Sequence, residues 1–384
     1  MPLLARRYDD ATPVRVDFDR DTIGRVTPLD DETRPAGPLP FVAPGLIDLQ
    51  VNGYAGQDFA SADSTPEKVV EIARRMDTFG VRWFLPTLCT ASFEVFVHAL
   101  RTIDEACRAS REASDRIAGV HVEGPYISPE DGPRGAHTRP HCRKPDWDEF
   151  RRWQEAAGGR IRLVTLAPEL PGAVEFIRRA ADSGVVVALG HTAADSAQIR
   201  AAVDAGARLS THLGNGAHAM IHRHRNYLWS QLAEDRLRAT LICDGHHLPP
   251  EVVKTFVRAK TPERCILISD MATEAGLPPG RYETSACGAI EVLPGGRLVV
   301  AGQTELMAGA AAPLGTGVAN VMQFAGVELR EAIAMALDHP TDLLGLDPGT
   351  LDPGQPADLV LFDLDEGFWV RGMIRGGEVV FGEE

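Results

Sequence analysis

The stretch IAGVHVEGP (117–125) is an apolar, β-rich run that stops on a carboxylate, Glu123, and is broken at once by Gly124 and Pro125. A strand's period of two puts His121 and Glu123 on one face. Three further runs end in the same way: VVVALGH (185–191) on His191, ARLSTHL (207–213) around His212, and CILISD (265–270) on Asp270. Parallel strands that close into a barrel aim the side chains at their carboxyl ends toward one mouth, so these four groups are expected to meet there.

Working outward, four more β-rich runs complete a set of eight: GLIDLQV (45–51), RWFLPT (82–87), RLVTLAP (162–168) and ATLICD (239–244). The intervals hold segments such as PEKVVEIARRMDTFG and SAQIRAAVDAGA, whose apolar residues recur at three and four and which end in Gly or Gly-Ala. Alternating strands and helices imply a parallel sheet, and eight such units imply closure into a (β/α)8 TIM barrel of the α/β class. The ends differ. Residues 1–43 and the last stretch carry short alternating pieces such as VRVDF, DLVLFDLD and EVVF, which are expected to pair into a small β-sandwich. The expected division is therefore 1–43 with 346–384 as the small domain and 44–345 as the barrel, with a hairpin around Pro294-Gly295-Gly296.

Composition narrows the function. A net charge of −15 argues against nucleic acid or an anionic membrane as partner, because phosphate-rich surfaces are bound by clustered Lys and Arg. The start, MPLLARRYDD, lacks the apolar core of a signal peptide, and no run approaches the length of a membrane helix, so the expected location is the cytosol. Six scattered cysteines form no C-x-x-C pair and indicate neither a disulfide framework nor a thiolate zinc site; they read as small buried hydrophobes.

Taken singly, Glu123, His191 and His212 would each pass as a rim residue. Together they make a carboxylate and two imidazoles, a three-ligand zinc set that leaves a fourth position for water. A strand-end Asp is costly to bury unless it is paired or near a metal, so Asp270 is the expected proton carrier. Gln50 and Asn52 share one face of the first strand; amides are poor zinc ligands but good hydrogen-bonders, which predicts one divalent metal rather than two.

The run PGLIDLQVNGYAG with HVEGPYISP, GHT, THL, DGHHLPPEVV, ISD and AGLPPGRY resembles the N-acetylglucosamine-6-phosphate deacetylases of the amidohydrolase superfamily over nearly the whole chain. The resemblance implies one catalytic divalent metal, zinc, on Glu123, His191 and His212, with Asp270 as general acid/base and His137 polarising the carbonyl. It also implies substrate contacts from His247, Asn215 and Gly216. The expected partner is a small N-acetylated amino sugar, and the expected assembly a homodimer.

The departure lies after THL, where the sequence runs LGNGAHAMIHRHRN (213–226) instead of the family's aromatic residue and Asn-Ala-Met. Arg223 lies at the family's spacing from His212, and Arg225 fits if the loop has gained two residues. Two Arg and three His within 218–225 suit an anion cradle, since the guanidinium fork matches phosphate oxygens; an ordinary solvated loop or a dimer contact has the same composition. VAGQ (300–303) stands where the family has Ala-Gly-Ser, so the pocket is expected to be reshaped around Gln303. The expected reaction is deacetylation of an amino-sugar phosphate. The alternatives are a same-fold deacylase of a non-phosphorylated N-acyl sugar or N-acyl amino acid, and a non-catalytic binding barrel.

Overall fold

The computed structural model describes residues 2–30, 32, 34–35, 37–284, 288–302 and 307–382. Eight parallel strands form one sheet: β1 Leu46–Val51, β2 Val81–Cys89, β3 Val120–Glu123, β4 Ile161–Leu166, β5 Val186–Leu189, β6 Leu209–Ser210, β7 Arg238–Leu241 and β8 Cys265–Leu267. Each falls on one of the runs expected from sequence. The sheet closes where Val51 bridges Met271 and the Asn52 N–H donates to the Met271 carbonyl at 2.8 Å. All six residues of β1 are buried, as are all four of β3, so the strands are apolar toward the surrounding helices and filled toward the axis.

Helices between the strands start on capping side chains. Thr65 accepts from the Lys68 N–H ahead of Pro66–Asp77, Ser92 accepts from Val95 ahead of Phe93–Ala109, and Asp195 with Gln198 forms a capping box ahead of Ser196–Ala205. Their apolar faces, such as Val69, Ile72, Ala73 and Met76, cover the barrel. No helix of the described residues is long and apolar enough to cross a membrane.

The two chain ends pair as expected into a small β-module beside the barrel, hydrogen-bonded as one seven-stranded sheet. Leu3–Arg7, Pro13–Asp19, Thr22–Pro28 and Phe41–Pro44 come from the start, and Leu359–Asp363, Trp369–Arg375 and Glu378–Gly382 from the end. Val14, Val16 and Ile23 share a core with Leu359 and Ile374, so the sheet curls until both halves bury one apolar centre. Buried charges join it to the barrel: Arg375 Nε lies 2.7 Å from Asp77 Oδ1, and Arg116 Nη2 lies 2.6 Å from Asp77 Oδ2. The hairpin expected around Pro294 is present as Gly288–Val292 and Leu298–Val300, joined by a third strand, Gly280–Thr284.

Candidate metal and active site

Beneath the mouth, the barrel axis is filled by polar rather than apolar side chains. His121 Nε2 is 2.8 Å from Thr165 Oγ1, which is 2.7 Å from Thr211 Oγ1, and this buried girdle supports the strand ends above it. Burial pushes His121 down to about 4, so the ring is neutral at pH 7.

On that girdle the structure brings Glu123, His191 and His212 together. Glu123 Oε1 lies 3.2 Å from His191 Nε2 and 2.8 Å from His212 Nε2. The donor atoms of all three lie within 4.8 Å of one another, and all three residues are buried. His191, His212 and Asp270 have φ of +51°, +28° and +51°, a left-handed backbone that non-glycine residues adopt at a cost of order 1–3 kcal/mol and that is held only where surroundings enforce it. Burial alone raises the Glu123 carboxyl, but the bonds from the two imidazoles outweigh it and hold the group well below its usual range.

The donor set fits a divalent cation. His191 Nδ1 donates to the Pro133 carbonyl at 2.9 Å, so the neutral ring presents an Nε2 lone pair, and a cation could take the place of the Nε2 proton that otherwise meets Glu123 Oε1. His212 Nδ1 is buried with no hydrogen-bond partner among the described residues. Gly216 approaches this centre closely: at φ +56°, an added Cβ would sit 2.7 Å from His191 Nδ1. Gly216→Ala is therefore expected to displace the His191 ring and lower the metal retained after dialysis, with a stability loss of about 1–2 kcal/mol. Elemental analysis beside a melting curve checks this; unchanged metal content would show that the ring tolerates the shift.

Asp270 is held from the side by Asn52, whose Nδ2 donates to Asp270 Oδ1 at 2.8 Å. Burial, reinforced by the Glu123 charge, pushes the Asp270 carboxyl up to about 6. His137 reaches the site from the loop after β3. Its Nδ1 accepts from the Thr90 N–H at 3.3 Å, which places the proton on Nε2, and Nε2 lies 3.8 Å from Glu123 Oε2. Burial pushes His137 down to about 3 and keeps it a neutral donor. His247 Nδ1 lies 2.7 Å from Asp244 Oδ2, so its Nε2 is oriented by a buried carboxylate.

Asn215 Nδ2 and Gln50 Nε2 are buried donors with no partner among the described residues. Arg223 and Arg225 are exposed, and neither guanidinium makes a hydrogen bond or ion pair among the described residues. Arg225 lines an open cleft of about 490 Å3 with Asp195, Ser196, Arg200, His218 and His222. Gln303 and Cys287 lie outside the described residues.

Sequence reasoning missed three contributors. Cys89, read as a buried hydrophobe, is half-buried at the end of β2, with Sγ 3.2 Å from Asn52 Oδ1 and 3.5 Å from Glu123 Oε2. Thr90 and Asp244 orient His137 and His247. The signal for Cys89 was its place at a strand end; its partners, 34 and 37 residues away in sequence, carried none.

The amidohydrolase family profile matches residues 41–380. The chain is 37% identical over 362 residues to the N-acetylglucosamine-6-phosphate deacetylase of Bos taurus, covering 91% of this chain and 86% of that protein. It is 34% identical over 339 residues to the N-acetylgalactosamine-6-phosphate deacetylase of Escherichia coli O157:H7, covering 87% of each. Among solved structures, a mutant N-acetyl-D-glucosamine-6-phosphate deacetylase from Mycobacterium smegmatis in complex with N-acetyl-D-glucosamine-6-phosphate superimposes with a TM-score of 0.86 at 29% identity, covering 99% of each chain.

Proposed function

Because the chain belongs to the amidohydrolase family, we propose that it removes the N-acetyl group of N-acetylglucosamine 6-phosphate, giving glucosamine 6-phosphate and acetate. The observation that carries the reading is the Glu123, His191 and His212 donor cluster with Asp270 held beside it by Asn52. These three residues would hold one resident ion, and their two imidazoles and carboxylate suit zinc. When bound, such an ion would supply Lewis acidity that lowers the pKa of water toward about 7.

The chain's own groups do the rest. Asp270 accepts the proton of the attacking water as its oxygen adds to the amide carbonyl carbon. The same carboxyl then passes that proton to the nitrogen as the C–N bond breaks, which lets the amine leave. His137 donates from Nε2 to the carbonyl oxygen as negative charge develops there. His247, oriented by Asp244, and Asn215 Nδ2 meet sugar polar groups, with Gly216 holding the loop against His191. Gln50 Nε2 offers a further buried donor, and Asn52 keeps Asp270 in place.

Arg223 or Arg225 grips the phosphate in this reading, supported by guanidiniums with no partner among the described residues on the loop that carries Asn215. Replacing the phosphate-binding Arg by Ala is expected to raise KM for the 6-phosphate by about 1.5–3 kcal/mol, roughly ten- to 150-fold, and barely alter it for N-acetylglucosamine. Steady-state kinetics on both sugars tests this. A wild-type preference for the free sugar would instead favour deacylation of a neutral N-acyl substrate. A homodimer is the assembly we assign, supported by Met220, Ile221 and Trp229 exposed beside the basic loop.

A further inference from the structure

The Glu123 carboxylate divides its two oxygens between two sets of donors. Oε1 faces His191 and His212, whereas Oε2 faces Cys89 Sγ at 3.5 Å and His137 Nε2 at 3.8 Å. The ligand atoms of Cys89, Glu123 and His137 lie within 4.8 Å of one another, separations that fit donors sharing one tetrahedral ion. A thiol has a single proton, yet Sγ has two oxygens against it, Asn52 Oδ1 at 3.2 Å as well as Glu123 Oε2. One of those oxygens therefore faces a sulfur lone pair, an arrangement that a cation between them would relieve.

We propose that Cys89 Sγ, Glu123 Oε2 and His137 Nε2 form a second, inhibitory site for a thiophilic divalent cation, such as excess Zn2+ or Cd2+, that withdraws His137 from the substrate carbonyl. The inhibitory part rests on the role given to His137 above; the site itself does not. Gln50 and Asn52 offer only amides on β1, so the soft thiolate on β2 selects the ion. Protons balance locally. The thiol releases one proton to solvent, and the Nε2 proton of His137 is replaced by one on Nδ1, which Thr90 Oγ1 accepts at 2.8 Å.

The experiment adds Cd2+ to the purified enzyme carrying its resident metal. A second ion per chain is expected, with a sulfur-to-cadmium charge-transfer band in the ultraviolet, one proton released, and activity falling in step with the band. In Cys89→Ser, and independently in Cys89→Ala, the band disappears, and the Cd2+ concentration that halves each variant's own rate rises by at least about tenfold. Cys142→Ser, which removes another half-buried thiol, keeps the band. No band at saturating Cd2+, a band lost in Cys142→Ser, or equal inhibition of wild type and both Cys89 variants would overturn the proposal. Band and stoichiometry are read without substrate, so their failure is distinguishable from a failure of the deacetylase reading.

Discussion

Asp270→Asn is expected to lower turnover by about 10²- to 10⁴-fold, the range for a lost general acid/base, and to leave the resident metal and the melting temperature nearly unchanged. The side chain keeps its size, and the amide can still meet Asn52, so the fold loses little. What it loses is the ability to take one proton from water and return it to the leaving nitrogen. In the wild type the base must be ionised, so kcat/KM falls as pH drops through its pKa. Burial and the Glu123 charge set that pKa at about 6, and a cation beside Glu123 opposes the second cause, so the acid limb lies at or below about 6. The limb set by Asp270 disappears in the variant. Retention of more than about a tenth of the wild-type turnover would assign proton transfer to another group.

Glu123→Gln is expected to abolish metal retention after dialysis and to bring turnover down to that of chelator-treated enzyme. Gln is nearly isosteric, but it removes the charge that both His191 and His212 face. The loss is expected to exceed the 10- to 100-fold typical of groups that merely support a ligand. Elemental analysis, together with activity across added Zn2+, checks it. A variant that keeps one tightly held ion and its activity would show that the two imidazoles suffice.

Much of this architecture is legible in the sequence because the barrel is built from local pattern. Each β-rich run from Leu46 to Leu267 is bounded by turn residues and followed by amphipathic helix, and a run that stops on Glu123, His191 or Asp270 announces its own position at the mouth. The convergence of Glu123, His191 and His212 follows from closure alone. What the pattern cannot carry is contact between distant segments. Thr90 meets His137 and Cys89 meets Asn52 only because the loop after β3 and the end of β1 both lean on β2. The chain ends show strands by alternation, yet alternation does not say whether seven strands make two layers or one curled sheet; that depends on Val14, Val16 and Ile23 finding Leu359 and Ile374. The basic loop is legible as charge, but the pattern does not say which of Arg223 and Arg225 meets a phosphate.

The most direct measurement follows acetate and free amine released from N-acetylglucosamine 6-phosphate by enzyme stripped with chelator and by the same enzyme after one equivalent of Zn2+. A metal-dependent deacetylase releases equimolar acetate and glucosamine 6-phosphate here, with activity returning as the first equivalent binds. Equal rates with and without metal, or a reconstituted enzyme that leaves the acetyl group in place, would contradict the proposed function.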